Sequence, residues 1–203
     1  RECLLDAGVQ RVVALGRSAI PRTDPKLEVL LVKDFFDYSS VEAQLTGFDA
    51  CFFCLGVSSV GMSEADYKRV SYDLTLAAAT VLARLNPQMT FVFVTGRGCD
   101  STERGSVMWA RVKGAAENAL LKLPFKAAYM FRPGIIQPLH GVRSKTPLYS
   151  AIYVLLAPVL GLWRMLSPNG ITTSEQVGRA MLAVARRGAP SPIVEMADIN
   201  ALR

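Results

Sequence analysis

The sequence predicts a three-layer α/β domain built on a doubly wound parallel sheet, and three observations carry that expectation. Short runs rich in branched and aromatic residues recur at 11–15, 27–32, 50–54, 90–94 and 127–131. Between several of them lie segments whose apolar residues return at three- and four-residue steps, and strands alternating with helices give right-handed crossovers and parallel pairing. The runs also end in small or basic residues, such as Gly16-Arg17-Ser18, Leu55-Gly56, Thr95-Gly96 and Pro133-Gly134. In open parallel sheets, ligands bind outside these carboxyl ends.

Each element has its own signal. Residues 1–7 read as the end of a helix, stopped by Gly8 in a left-handed cap. The strand at 11–15 follows, then the strand at 27–32 with Asp34 and Phe35 just beyond it, then a short helix near 39–45. After the strand at 50–54, Ser63-x-x-Asp66 caps a long helix with an apolar stripe at Val70, Leu74, Ala77, Ala78, Val81 and Leu85. The continuous apolar run 91–94 suits a strand buried on both faces. The helix behind it carries Trp109, Val112, Ala116, Leu120 and Leu123, with Lys113 one turn beyond Trp109. Thr173-x-x-Gln176 opens the last long helix, Gly188 closes it, and a short strand is expected at 193–196. A sheet of this type ordinarily opens with a strand and a Gly-rich turn that presents helix amides to a pyrophosphate. Residues 1–7 read as the helix after such a turn, so the chain is expected to continue upstream with a Val/Ile-rich central strand and Gly-x-x-Gly-x-x-Gly.

Composition narrows the function. A chain of 203 residues fits one domain, and 51% apolar with 20% charged residues excludes a disordered protein. The net charge of +6 favours anionic partners, from nucleic acids to phosphorylated cofactors. No basic run with interleaved aromatics is present, so nucleic acid is not expected as a partner. Cys51-Phe-Phe-Cys54 has a redox or metal spacing, but within a strand residues three apart face opposite ways. The pair therefore reads as buried apolar cysteines, and with His140 the single histidine no metal site is expected. Nothing resembles a signal peptide, which suggests a cytoplasmic location.

Arg17, at a strand end, suits the 2′-phosphate of NADP, or else is a solvated turn arginine. Asp34 could accept from an adenine amino group or be a helix-capping aspartate. Gly56 lets backbone approach a ligand, or simply makes a tight turn. Lys113 shares an apolar stripe with Trp109, and a cation there needs an anionic or hydroxyl-rich partner.

Taken together, Leu15-Gly16-Arg17-Ser18, Asp34-Phe35, Phe53-Cys54-Leu55-Gly56, Thr95-Gly96-Arg97-Gly98-Cys99-Asp100, Val112-Lys113-Gly114 with Glu117, and Phe131-Arg132-Pro133-Gly134 resemble one family. It is the atypical short-chain dehydrogenase/reductases with an NAD(P)H-binding epimerase-like domain, and the likeness is to the Tat-interacting oxidoreductase-like proteins. The resemblance implies a Rossmann-like sheet in which Lys113 binds the nicotinamide ribose and Thr95 stands where the family keeps a substrate-orienting serine. Arg17 and Ser18 would meet the adenosine phosphate, with Asp34 and Phe35 beside them. Leu55 and Gly56 would line the dinucleotide, and Pro133, Gly134 and Ile135 its nicotinamide end, with NADP(H) preferred to NAD(H). The family's proton donor is a tyrosine four residues before the lysine; here that position is Trp109, whose indole does not ionise near neutral pH. Two functions follow: an NADP(H)-dependent oxidoreductase or epimerase acting on a small apolar carbonyl or alcohol, or a catalytically silent NADP(H)-binding regulatory or sensor protein. Residues 139–172 are expected to form a hydrophobic substrate-side lid. Its apolar stretch 148–166, broken by Pro158, Gly161 and Arg164, reads as a pair of short roofing helices rather than a membrane contact.

Overall fold

The computed structural model describes residues 1–141 and 170–202. In chain order these form α1 (Glu2–Leu5), β1 (Val12–Gly16), β2 (Leu27–Leu31), a 3-10 turn (Glu42–Gln44), β3 (Ala50–Phe53), α2 (Glu64–Lys68), a π turn (Arg69–Asp73) and α3 (Leu74–Leu85). They continue with β4 (Thr90–Val94), α4 (Met108–Leu120), β5 (Ala127–Arg132), β6 (Ile135–Gln137), β7 (Ile171–Thr173), α5 (Ser174–Arg187), β8 (Ile193–Glu195) and α6 (Met196–Ala201). The expected lid at 139–172 lies outside the described residues except at its two ends, and so does the whole of 148–166.

Side-chain alternation along β4 organises the layers. Phe91 and Phe93 point to one face, where they pack with Ala79 of α3 and Ala116 and Leu120 of α4. Val92 and Val94 point to the other, against Val177, Ala180, Met181 and Val184 of α5. Helices on both faces of a parallel sheet make the fold Rossmann-like, in three layers. The main sheet has the order β3-β4-β5-β8, all parallel. β1 and β2 form a separate parallel ladder, and β6 and β7 a third. A core of Leu30, Val32, Val41, Leu45 and Ala78, flanked by Val13, Leu15 and Phe53, places α3 beneath β1, β2 and the edge of β3.

Local signals account for most of the element ends. The Ser63 hydroxyl accepts the Asp66 N–H and the Thr173 hydroxyl accepts the Gln176 N–H, so both expected caps are in place. Gly188 ends α5 with φ 73°, a conformation open to glycine. Elsewhere the structure corrects the sequence. The first helix stops at Asp6, whose carboxylate accepts the Gly8 N–H, and Gly8 has no left-handed φ. The expected long helix after Ser63 contains the π turn at Arg69–Asp73, and the helix near 39–45 is only a 3-10 turn. The three-residue strands β6 and β7 were too short to leave a period, and α6 begins on a reciprocal cap between Glu195 and Asp198. All four cysteines are free. Cys51 is half-buried and Cys54 exposed, because β3 ends at Phe53 and Cys54 already belongs to the loop.

Asn86 ties α3 to the connection before β3. It is buried; its side-chain oxygen accepts the Phe48 N–H at 2.9 Å and its amide donates to the Leu45 carbonyl at 2.8 Å. Asn86→Ala leaves both backbone groups unpaired and should cost about 1–3 kcal/mol in urea unfolding. A loss below about 0.5 kcal/mol would mean that the loop holds its shape without the side chain.

Candidate functional site

The carboxyl ends of β4 and β5 continue side by side into their loops. The Thr95 N–H donates to the Phe131 carbonyl at 2.8 Å, and the Arg97 N–H to the Pro133 carbonyl at 2.8 Å. The loop after β4 turns at Gly98, φ 90°, and returns to the helix, where the Asp100 N–H donates to the Ala110 carbonyl at 3.0 Å. Helix and loop touch at Gly114, where a Cβ would overlap the Asp100 carbonyl, so only glycine admits this approach.

That approach carries Lys113 to the strand end. Its ammonium donates to the Thr95 carbonyl at 2.7 Å. Burial pulls the Lys113 pKa below the ordinary lysine value, while the thiol of Cys99 and the carboxylate of Glu117 pull the other way. Cys99 is itself buried, and burial, with Glu117 adding to it, pushes its thiol up to about 11, too high for a reactive thiolate.

Beneath Lys113 lies a buried ionic network. The Thr95 hydroxyl is 2.6 Å from Glu117 Oε1 and 3.0 Å from the Phe131 carbonyl, so its one proton is engaged inward. Glu117 is fully buried and takes a two-pronged contact from Arg132, Nε to Oε1 at 3.1 Å and Nη2 to Oε2. Arg132 also donates to the Ser101 hydroxyl at 2.7 Å and to Glu195 at 3.3 Å. The Glu117 carboxylate holds the Arg132 pKa well above its ordinary value. One network thereby joins the end of β4, α4, the end of β5 and the start of α6. Sequence reasoning quoted Glu117 and Arg132 in motifs and gave neither a role. The available signal was opposite charge at two positions where the helix stripe and the strand demand burial.

Of the residues singled out in the sequence, Thr95, Trp109, Lys113, Pro133 and Gly134 converge here. Trp109 is half-buried one turn before Lys113, with its ring edge against Gly98. Pro133 is buried, Gly134 is exposed beside Arg97, and Ile135 is exposed at the start of β6. Leu55 and Gly56 are exposed in the loop after β3, with open space around Gly56. Apolar side chains stand out from the loops of this edge, at Leu55, Val57, Val107 and above all Val60, 83% exposed. The remaining group sits on the separate β1–β2 ladder. Arg17 and Ser18 are exposed, and Arg17 has no ion pair among the described residues. Asp34 accepts the Phe36 N–H at 2.9 Å, so its carboxylate caps a local turn, and the Phe35 ring packs on the β1–β2 core instead of facing outward.

No family model matches the chain. It is 26% identical over 201 residues to protein fmp52-2 of Aspergillus terreus, described as mitochondrial, across 93% of this chain and 83% of that protein. It is 30% identical over 105 residues to protein HTATIP2 of Rattus norvegicus, across 52% of this chain and 42% of that protein. With FMP52-1 of Scheffersomyces stipitis, also described as mitochondrial, it shares 25% identity across 63% of this chain and 56% of the relative. For the latter two the match spans about half of the relative's length. Among solved structures, glucuronic acid dehydrogenase from Chromohalobacter salexigens superposes with a TM-score of 0.53 at 15% identity, over 93% of this chain and 67% of that one. A thiolation-reductase di-domain from an archaeal non-ribosomal peptide synthetase gives 0.51 at 11% identity, over 79% and 51%. The chain is thus similar to the HTATIP2 and Fmp52 proteins, and its fold is one that dehydrogenases share. No helix among the described residues is long and apolar enough to cross a membrane.

The buried pair gives a measurable consequence. Glu117→Ala leaves Arg132 uncompensated in the interior and should cost about 3–5 kcal/mol of unfolding free energy. Glu117→Gln, which keeps the shape and the Thr95 contact, should cost less. Equal, small losses in both, read from denaturant curves, would show that water reaches the guanidinium.

Proposed function

We propose that this chain is the dinucleotide-binding body of an NADP(H)-dependent oxidoreductase or epimerase acting on a small apolar carbonyl or alcohol. The observation that carries the reading is Lys113, a desolvated ammonium anchored on the Thr95 carbonyl at the carboxyl edge of a Rossmann-like sheet. The similarity to HTATIP2 and Fmp52 proteins and the dehydrogenase fold support it.

The donor set fits a phosphorylated, hydroxyl-rich cofactor. Lys113 spends one of its three N–H groups on Thr95 and keeps two for the hydroxyls of a ribose. The exposed Arg17 guanidinium offers a planar fork for a 2′-phosphate. Gly56 and Gly134 allow close approach, Ile135 and Leu55 provide apolar walls, and Pro133 holds the floor at the nicotinamide end. Ser18 stands beside Arg17. Asp34 is turned to its own backbone in this structure, so in this reading it contributes only the shape of its loop. Bound there, a nicotinamide supplies hydride transfer.

In this reading, proton transfer is where the site departs from the pattern of the family it resembles. The Thr95 hydroxyl points to Glu117, and the Trp109 indole has no proton to exchange near neutral pH. In this reading Lys113 binds and orients, and among the described residues neither Thr95 nor Trp109 offers an acid and base at the reacting carbonyl. The apolar side chains exposed at the edge match an apolar substrate.

Two experiments test the reading. Titration calorimetry should show tighter binding of NADPH than NADH, with Arg17→Ala weakening NADPH by about tenfold to a hundredfold, the value of one charge-assisted bond. Equal affinities, or a preference unchanged in Arg17→Ala, would count against NADP(H). In a screen of apolar aldehydes and ketones, Trp109→Tyr should raise the NADPH-dependent rate by up to about 10²–10⁴ while leaving NADPH affinity within a few fold. Tight NADPH binding with no turnover in either form would assign the chain to a silent sensor or regulatory role.

A further inference from the structure

The order of the strand ends places an arginine between two apolar flanks. β3 and β4 pair Phe53 with Phe93, so Leu55 and Thr95 leave the sheet level with each other. β4 and β5 pair Val94 with Phe131, and the two chains stay together as far as the Arg97 N–H, which donates to the Pro133 carbonyl at 2.8 Å. Arg97 therefore stands at the carboxyl edge with the loop of Leu55, Val57 and Val60 on one side and Gly134-Ile135 on the other. Leu55, Val57, Val60 and Ile135 all expose apolar side chains.

The stem of Arg97 runs past a glycine. A Cβ at Gly134 would lie 3.7 Å from Arg97 Cδ, 3.7 Å from the Gly170 carbonyl oxygen and 3.0 Å from Met196 Cε, so the stem lies where the end of β5, the approach to β7 and the start of α6 meet. Arg97 is exposed, and its guanidinium makes no ion pair or hydrogen bond among the described residues. Several other surface arginines are paired: Arg11 with Glu28, Arg84 with Glu42, Arg111 with Glu64 and Arg186 with Asp6. The carboxylates around this edge are engaged elsewhere. Glu117 holds Arg132 and the Thr95 hydroxyl, Glu195 holds Arg132 and the first turn of its own helix, and Asp100 holds Thr102 and Gly105. Two residues before Arg97, the Thr95 carbonyl carries the Lys113 ammonium, so this part of the edge favours an anion.

We infer that Arg97 recognises a carboxylate on the substrate, and that the substrate is an oxo or hydroxy acid with a hydrocarbon body. The inference rests on the cofactor reading above, which puts the reacting carbon at the nicotinamide end, beside Pro133, Gly134 and Ile135. A ligand seated there covers Arg97 and takes its guanidinium out of water, which is costly without an anion to meet it. The planar fork matches the two oxygens of a carboxylate in a bidentate pair, a geometry that lysine does not offer. The exposed apolar side chains on either side take the hydrocarbon. A neutral ketone answers only the second half of this surface.

Titration calorimetry with α-oxooctanoate and with its methyl ester, in the presence of NADPH, tests the inference. The acid should bind at least about tenfold more tightly than the ester. Arg97→Gln should remove that preference by weakening the acid about tenfold to a hundredfold, the value of one charge-assisted bond, and Arg97→Lys should restore only part of it. Affinity for the ester and for NADPH should stay within a few fold in both variants. No preference for the acid in the unmodified protein, whether both compounds bind or neither does, overturns the inference, and so does a preference that survives Arg97→Gln. A fall in NADPH affinity in Arg97→Gln overturns it as well, by giving the arginine to the cofactor. The same titrations without NADPH separate the two readings. An Arg97-dependent preference for the acid in a protein that binds no NADPH keeps the carboxylate site and overturns the cofactor reading instead.

Discussion

The Glu117–Arg132 pair is the interaction on which the site rests. A carboxylate with no exposed surface is tolerable only when a countercharge and further donors replace water, and Arg132 and the Thr95 hydroxyl do so. Because the partners come from the helix behind β4 and from the end of β5, satisfying the charge also sets the distance between them. The Thr95 carbonyl is held as a by-product, and that carbonyl receives Lys113. Buried ionic networks of this kind are expensive, and their geometry is correspondingly unforgiving.

A second constraint is steric. The loop after β4 comes so close to α4 that Gly114 has no room for a methyl group, and the bond from Asp100 to the Ala110 carbonyl closes the contact. Lys113 precedes that glycine directly, so this close helix–loop contact delivers the lysine to the strand end. Desolvation follows from the same packing and lowers the cost of keeping the amine neutral. The buried network lies beneath an edge from which the apolar side chains of Leu55, Val57 and Val60 stand exposed.

Two of the three ladders, β1–β2 and the main sheet, share α3 but no strand pairing. Arg17 follows the first of these, and Lys113, on α4, meets the strand end of the second. α3 joins them, packing on Val13 and Leu15 of one and on Phe53 of the other.

Periodicity alone determined the alternation of strands and helices, the doubly wound class and the buried character of β4, since a continuous apolar run and a 3.6-residue stripe are local properties. The caps at Ser63, Thr173 and Gly188 were legible for the same reason: each is a bond or a φ angle within four residues. Lys113 and Trp109 were legible as a pair one turn apart, and the strand ends as a shared edge. What the local pattern could not carry was decided by contacts across the fold. The Thr95 hydroxyl turned inward because Glu117, twenty-two residues on, needed a donor. The π turn arose inside a sequence with an unbroken helical stripe. The ionic network joins residues 95, 101, 117, 132 and 195, and no window of sequence contains a network that runs over a hundred residues; only the packing of α4 between two strand ends brings those charges within reach.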